Sequence, residues 1–316
     1  MAERRSRGFG LAAGLALAFV ASFLTACGTS QTAGLMPTGH DWSYVVGGNG
    51  VIPFNLTTHR TGRTITLPNW NPNASLIVAT NGRSGFANSG GGLVPINFAT
   101  GALSNPLRIE KYSQGLALTP DGQTLWAPNW EDEAGPWNGK VPQSIVPINA
   151  VTGARGRAIS MAGGPLAVNV SPDGRTAWVT TQGGATLRQV TLPLGLEGYV
   201  ISVPQGVGGL AIAPNGKMAY AVGTVVEGEG SYSDSYVTPI NLVTGVAENP
   251  IVLHYDPYGI AVSPDGRTIW VTGGTVDGPK SRTPDLRSID LATGRVNGTF
   301  SIPGGANDIA NATSGG

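Results

Sequence analysis

Four segments of the chain share one short sequence motif, and this repetition constrains the fold more than any other feature of the sequence. Each segment is a short apolar run that enters a Pro-Asp-Gly or Pro-Asn-Gly turn. Proline presets φ in such a turn, and glycine takes the left-handed position. The four segments are Gly115–Gly122, Leu166–Gly174, Leu210–Gly216 and Gly259–Gly266. An aromatic residue that we expect in the core follows each turn, at Trp126, Trp178, Tyr220 and Trp270.

A second marker fixes the length of the repeating unit. The residue expected to end the third strand of each unit is Asn55, Asn97, Asn149, Thr191, Asn241 or Asp290. Successive markers are 42, 52, 42, 50 and 49 residues apart. A turn glycine lies four residues after the marker in five units, and His59 takes that place in the first. Spacing and turn chemistry therefore agree on six units.

Units of four short strands at this period are typical of β-propeller blades. The sequence predicts an all-β chain that forms a β-propeller of four-stranded blades, with six blades favoured and seven possible. A β-sandwich would not repeat its turns at fixed register, and a parallel β-helix has a shorter rung. The stretch 67–76 is about six residues short, which predicts a short or missing inner strand in the second blade. The segment Asp308–Gly315 aligns with Gly259–Gly266, so we expect the C-terminal strand to close the ring.

The strand after the turn resembles a known repeat family. Trp178–Thr181, Trp270–Gly273 and Val78–Asn81 are similar to the Tyr-Val-Thr-Asn strand that gives the YVTN-type β-propeller repeats their name. The likeness covers most of residues 43–312. It implies the propeller fold and says little about function, because propellers host many functions.

The first residues predict export. Three arginines precede the uncharged apolar run Gly8–Phe23, which suits a signal-peptide core and is short for a membrane span. The sequence Leu24-Thr25-Ala26-Cys27 resembles the bacterial lipobox, in which the cysteine thiol receives a diacylglycerol and the signal peptide is cut just before it. A twin-arginine export signal at Arg4–Arg5, a plain secretory signal and a buried free cysteine are the alternatives.

This N-terminus sets the expected organisation of the chain. We expect a lipoprotein signal peptide at residues 1–26, a lipidated N-terminus and linker at 27–42, and the propeller at 43–316. The protein would be exported and lipid-anchored to the outer face of the bacterial cell membrane or in the cell envelope, because two or more acyl chains anchor a protein stably. The membrane is therefore one expected partner, reached through Cys27.

Cysteine usage and charge exclude several classes of function. Cys27 is the only cysteine, which excludes an internal disulfide and a cysteine metal cluster. Cleavage before Cys27 would remove three arginines and one glutamate, so the 19 basic and 19 acidic residues would become 16 and 18. Proteins that bind phosphate backbones normally carry a basic excess, so no nucleic-acid partner is expected.

The long connections are expected on one face of the propeller. The insertions at 129–143, 223–235 and 273–285 follow second strands, and variable loops on a rigid scaffold often bind ligands. Aromatic rings with carboxylates suit a glycan, peptide or protein partner. The candidate binding residues are Trp70, Tyr112, Trp130, Glu131, Asp132, Trp137, Tyr232, His254, Tyr255, Asp256 and Tyr258. The plainer interpretation is that the acidic loops are solvated and the aromatics cap the blade ends.

The sequence favours a binding or scaffold lipoprotein at the cell surface. The alternative is a propeller enzyme such as a metal-dependent lactonase, lyase or hydrolase, and a third possibility is an accessory subunit of an envelope complex. The run Glu131–Glu133 could hold calcium but lacks the alternating ligand pattern of a calcium loop. No Gly-x-Ser-x-Gly, His-Glu-x-x-His or nucleotide loop occurs. We predict no catalytic residue and no cofactor, and leave a metal site open.

Overall fold

Six antiparallel sheets are built from 25 strands and no helix in the described part of the chain. The computed structural model describes residues 41–69, 74–88, 92–107, 115–129, 143–181, 186–203, 208–224, 235–253, 255–274 and 285–311. These residues belong to one compact unit. Within them, no apolar helix reaches a length that could cross a membrane.

The strands alternate with turns along the whole described chain. In chain order they are β1 (Trp42–Gly47), β2 (Gly50–Asn55), β3 (Ile65–Thr66), β4 (Leu76–Val78), β5 (Ser84–Asn88), β6 (Leu93–Asn97), β7 (Ala102–Leu103), β8 (Ala117–Leu118), β9 (Thr124–Asn129), β10 (Ser144–Asn149), β11 (Ile159–Ser160), β12 (Pro165–Val170), β13 (Thr176–Thr181), β14 (Thr186–Thr191), β15 (Leu196–Ser202), β16 (Gly209–Ile212), β17 (Met218–Thr224), β18 (Ser235–Asn241), β19 (Val246–Ala247), β20 (Ile251–Leu253), β21 (Asp256–Val262), β22 (Thr268–Gly274), β23 (Asp285–Asp290), β24 (Arg295–Ser301) and β25 (Asp308–Asn311).

These strands form a six-blade β-propeller. From the inner to the outer strand, blade 1 is β25-β1-β2-β3, blade 2 is β4 to β7, blade 3 is β8 to β11, blade 4 is β12 to β15, blade 5 is β16 to β20, and blade 6 is β21 to β24. In blade 5 the outer strand is split into β19 and β20, which both pair with β18. Each inner strand contacts the inner strand of the next blade, so the six form a ring. The predicted fold class and the six-blade count are confirmed.

The C-terminal strand closes the ring, as predicted. β25 pairs with β1 in antiparallel register, with Val45 opposite Ile309. The Ser43 hydroxyl donates to the Asn311 side chain, which fixes the pair within blade 1. The Asn311 amide donates to the carbonyl of Val262 in blade 6 at 2.7 Å. The last described strand is therefore tied both to its own blade and to the blade before it.

One aromatic ring from each blade lies in the core at the same register position. Each ring belongs to a residue of the second strand of its blade. That residue pairs with the third-strand residue that lies two positions before the marker. All six are at most 8% exposed: Tyr44, Phe86, Trp126, Trp178, Tyr220 and Trp270. The four that the sequence predicted are in the core, and Tyr44 and Phe86 complete the set. Because blades cannot bury their faces alone, these rings join neighbouring sheets.

The register predicted for blade 2 was wrong in one detail. The segment Val78–Asn81 was matched to the aromatic second strand of the repeat, but β4 ends at Val78 and the next residues form a turn. The Asn81 side chain accepts from the backbone of Arg83 at 2.8 Å, as the turn aspartates do in other blades. The true second strand is β5, and its aromatic residue is Phe86. The inner strand β4 is short, as expected.

The turns that follow the third strands are stabilised by hydrogen bonds within the turn. All six marker residues end a third strand, as predicted. The Asn241 side chain accepts the backbone N–H groups of Val243 and Thr244, both at 3.0 Å. His59, which replaces the usual glycine, adopts the left-handed conformation with φ of 56°. These turns and the Pro-Asp-Gly turns lie on one side of the propeller, here called the turn face.

Candidate functional site

The six inner strands enclose a central channel of about 740 Å³. Every inner strand runs toward the turn face, so its first residue lies at the opposite side, here called the loop face. The second strands also end on the loop face. The connections at 130–143, 225–234 and 275–284 therefore leave the described strands there. The channel mouth and the described strand ends that flank these three insertions therefore lie on one face.

Six equivalent positions surround the mouth of the channel. Each lies five residues before the turn proline or its counterpart, and together we call them the mouth ring: Ser75, Gly115, Ala167, Gly209, Gly259 and Asp308. Blades approach closely here, since a Cβ at Gly115 would lie 2.4 Å from the Cβ of Ala167. Four of the six positions are glycine or alanine, so side chains leave the mouth open.

Asp308 is the one charged residue among the described residues that line the channel. Its Oδ2 accepts the backbone N–H of Leu76 in blade 2 at 2.8 Å, and its Oδ1 accepts the backbone N–H of Ile309 at 2.8 Å. Burial raises the pKa of the Asp308 carboxyl to about 6, and the two backbone hydrogen bonds offset part of that effect. The carboxylate thus lies in a place that disfavours its charge.

Gly259 provides the space that the Asp308 carboxylate occupies. A Cβ at Gly259 would lie 2.4 Å from Oδ1 of Asp308, which is closer than atoms can approach. The backbone N–H of Gly259 donates to the Thr272 hydroxyl at 2.9 Å, where β21 bulges against β22. Blade 6 therefore leaves a gap at the mouth ring, and the side chain from blade 1 fills it.

Two candidate binding residues lie near this mouth. Tyr258 is 44% exposed, lines the channel and precedes Gly259 on β21. Asp256 is the first residue of the same strand and is half-buried. Both belong to the loop face, as the sequence predicted, and Tyr258 offers an aromatic surface at the channel mouth.

Tyr255, a third candidate, lies in the core between blades 5 and 6. It is 2% exposed, and the guanidinium carbon of Arg287 lies 3.6 Å from the centre of its ring. Burial raises the pKa of the Tyr255 phenol above its ordinary value, and the charge of Arg287 partly offsets this. Its ring is enclosed by protein and is not presented to a ligand.

The remaining predicted site residues lie outside the described residues. They are Cys27, Trp70, Tyr112, Trp130, Glu131, Asp132, Trp137, Tyr232 and His254. Their roles in lipidation and binding stay predictions. The described strand ends do show where the insertions that carry Trp130 and Tyr232 begin and end, at Asn129 and Ser144 and at Thr224 and Ser235.

The described part of the chain contains no group of three or more His, Cys, Asp or Glu that could hold a metal ion. His59, the one described histidine, lies in a turn and packs against Phe300 in a tilted arrangement with ring centres 4.4 Å apart. His40 and His254 lie outside the described residues. The enzyme alternative stays a prediction without a described ligand set.

Sequence reasoning missed Asp308 as a site residue. A signal was available, because the alignment of the C-terminal strand with Gly259–Gly266 places an aspartate where that blade has glycine. A charge at an inner-strand position that is otherwise small is unusual in a buried ring. The alignment alone did not show that this position lies at the mouth of the channel.

Comparisons with known proteins support the fold. No protein-family model and no curated protein matches the sequence. Among solved structures, TolB from Acinetobacter baumannii aligns with a TM-score of 0.65 at 15% identity, over 88% of this chain and 68% of that one. A chain of a nidogen/laminin complex aligns with a TM-score of 0.64 at 11% identity, over 86% and 99%.

A third structure is similar over a smaller part. Hydrazine synthase from Kuenenia stuttgartiensis aligns with a TM-score of 0.56 at 21% identity and covers 70% of this chain. The present chain spans 64% of the length of that synthase chain. At these identities the likenesses show a shared propeller fold, of the six-blade kind found in TolB.

Proposed function

We propose that the protein is a lipid-anchored β-propeller of the bacterial cell envelope that binds a protein, peptide or glycan partner on its loop face. The observation that carries this proposal is the difference between the two faces. On the turn face, short turns satisfy their own hydrogen-bonding groups. On the loop face lie the channel mouth and the described strand ends that flank the three insertions after second strands.

On the turn face, the turn carboxylates of blades 4 and 6 are hydrogen-bonded within their own turns. In blade 6 the Asp265 carboxylate accepts from the Ser263 hydroxyl at 2.5 Å and from the backbone of Arg267 at 3.0 Å. These hydrogen bonds hold the pKa of Asp265 below its usual value, because they stabilise the ionised form. Blade 4 repeats the arrangement with Asp173 and Ser171. Residues that serve their own turns are poorly suited to recognise a partner.

The loop face has the chemistry of a recognition surface. Tyr258 presents an exposed ring beside the channel. By sequence, the insertion between β9 and β10 contributes Trp130 and Trp137, with Glu131 and Asp132 beside them. Rigid aromatic rings bury a large area at low entropic cost, and carboxylates add directed hydrogen bonds. The similar nidogen/laminin structure is a complex of two proteins, which favours a protein partner for this propeller also.

Anchoring and binding are tested separately. Cells that express the full chain are labelled with palmitate, and incorporation should be lost on Cys27→Ser while secretion continues. Unlabelled wild-type protein would contradict the lipid anchor and leave the binding proposal intact.

For binding, the full chain in mild detergent is applied to peptide and glycan arrays. Binding should weaken when Trp130 and Trp137 are both replaced by alanine. Tyr199→Ala is the matched control, because this tyrosine is 58% exposed but lies on the outer strand of blade 4. Equal loss with the control variant, or no loss with the double variant, would contradict binding on the loop face.

A further inference from the structure

We propose that Asp308 binds a primary ammonium group, of the kind carried by a lysine side chain or a peptide amino terminus, at the loop-face mouth of the channel. This inference rests on the proposed binding function and names the chemistry that the partner presents. Its central observation is a carboxylate that lines the channel and for which the described part of the chain supplies no counter-ion.

No described basic side chain compensates the charge of Asp308. β25 packs against β1, β4, β21 and β22. On those strands the other titratable side chains are Tyr44, Asp256 and Tyr258, and none is a cation. No ion pair is found for Asp308 among the described residues, and its hydrogen bonds come from two backbone N–H groups. Asp308 is half-buried, and a carboxylate partly removed from water without a counter-ion is destabilised, so a cation from a ligand would stabilise it.

The carboxylate has acceptor capacity left for a ligand. Two carboxylate oxygens offer about four acceptor positions, and the backbone N–H groups of Leu76 and Ile309 use two of them, one on each oxygen. An arginine guanidinium binds a carboxylate best when it can donate two parallel hydrogen bonds, one to each carboxylate oxygen. An ammonium group is a compact charge with three donors and needs only one oxygen. The geometry therefore favours ammonium over guanidinium.

The surroundings fit a lysine better than a metal ion. Small residues at Gly115, Ala167, Gly209 and Gly259 leave the mouth ring open to an extended side chain. The exposed ring of Tyr258 lies at the same end of the neighbouring strand, where it can cover methylene groups or face the cation. Calcium requires six to eight oxygen ligands, whereas the mouth ring supplies one carboxylate and one hydroxyl, that of Ser75.

The test compares two peptides that differ by one charge. The full chain in mild detergent is titrated calorimetrically with the acetylated and amidated pentapeptide Ala-Ala-Lys-Ala-Ala, and with its norleucine counterpart. We expect the affinity for the norleucine peptide to be lower by about tenfold or more, since a hydrogen bond to a charged group is lost. This comparison uses the wild-type protein, so it holds even if a variant fails to fold.

Variants then assign the effect to Asp308. Asp308→Asn should weaken lysine-peptide binding about tenfold, and Asp285→Asn on the same face but outside the channel should leave it within about twofold. Wild-type affinity for the lysine peptide should fall between pH 7.5 and pH 5 as Asp308 takes up a proton. With Asp308→Asn the affinity should not change over that range.

Several results would overturn the inference. Equal binding of the two peptides, or equal binding by wild type and Asp308→Asn, would remove the ammonium site and leave a loop-face binder in place. Array binding of a partner without any binding of the lysine peptide would do the same. Calcium that binds in a titration, displaces the peptide and is lost on Asp308→Asn would make the mouth a metal site. Absence of any array binding would instead contradict the proposed function itself.

Discussion

Replacing Asp308 by asparagine should change the way in which the free energy of unfolding depends on pH. The folded protein holds the pKa of this carboxyl at about 6 because the channel wall buries it. An aspartate in an unfolded chain has a pKa of ~3.9. Because the folded value is higher, the folded state favours the protonated form. Its contribution to stability is therefore complete below pH ~4 and is lost as the pH rises through about 6.

The magnitude follows from the difference between the two pKa values. A difference of this size corresponds to a loss of up to ~3 kcal/mol between pH 4 and pH 7. Asparagine does not titrate and keeps an oxygen that can accept the backbone N–H of Leu76. Relative to the Asp308→Asn variant, wild type should therefore become less stable by up to that amount as the pH rises. Carboxylates with lowered pKa, such as Asp173 and Asp265, have the opposite effect but are present in both proteins.

Urea unfolding of both proteins at half-unit steps from pH 4 to pH 7.5 measures this difference directly. The Asp285→Asn variant serves as the control, and its curve should run parallel to that of wild type. Parallel curves for wild type and Asp308→Asn would refute the reasoning, because they would mean that the carboxyl titrates alike in the folded and unfolded states.

Three further substitutions test the packing of the blades by the same unfolding assay. Gly259→Ala places a Cβ 2.4 Å from the Asp308 carboxylate and should lower the free energy of unfolding by ~1–3 kcal/mol. Gly208→Ala is the control, because the atom nearest to its Cβ would be 3.7 Å away, and it should lower that free energy by under ~1 kcal/mol. Equal losses would contradict the close approach at Gly259. Trp178→Ala should cost ~3–5 kcal/mol because the ring is buried, and a change under ~1 kcal/mol would contradict its core position. Asn241→Ala should cost ~1 kcal/mol by removing two turn hydrogen bonds, and Thr191→Ala at the equivalent exposed position should change stability by less than ~0.5 kcal/mol.

The sequence was sufficient to predict the architecture because the turns of each blade are determined by short local sequence motifs. Pro-Asp-Gly segments and the marker residues depend on neighbours within a few positions, so their spacing predicts strand ends that the structure confirms. The closing role of Asp308–Asn311 was also predictable, because it follows its marker at the same distance as Gly259 follows Asn241.

The errors arose where a local pattern had two interpretations. The letters of Val78–Asn81 fit a second strand, yet the turn hydrogen bond of Asn81 shows that they end the inner strand and begin a turn. With that register corrected, Phe86 takes the core position. Tyr44 was missed because its blade begins with the strand that pairs with the C-terminus, so no turn precedes it in the chain.

The candidate site was only partly predictable. The loop face was predictable from connection lengths, and Tyr258 lies there. Tyr255 is buried among residues of blades 5 and 6 and contacts Arg287, which lies 32 positions later, so no local sequence pattern predicts its burial. The environment of Asp308 is set by Gly259 and Leu76, which belong to the two neighbouring blades. Such contacts follow from ring closure and not from any one repeat.

Site-specific photocrosslinking in cells tests the central claim, partner binding on the loop face, most directly. A photoreactive amino acid replaces Tyr258 at the channel mouth in one strain and Asn215, in a turn on the opposite face, in another. The account predicts that one defined partner crosslinks at position 258, that it fails to crosslink at position 215, and that an excess of the lysine peptide competes with it. The same partner captured equally from both positions, or captured only from position 215, would contradict the account.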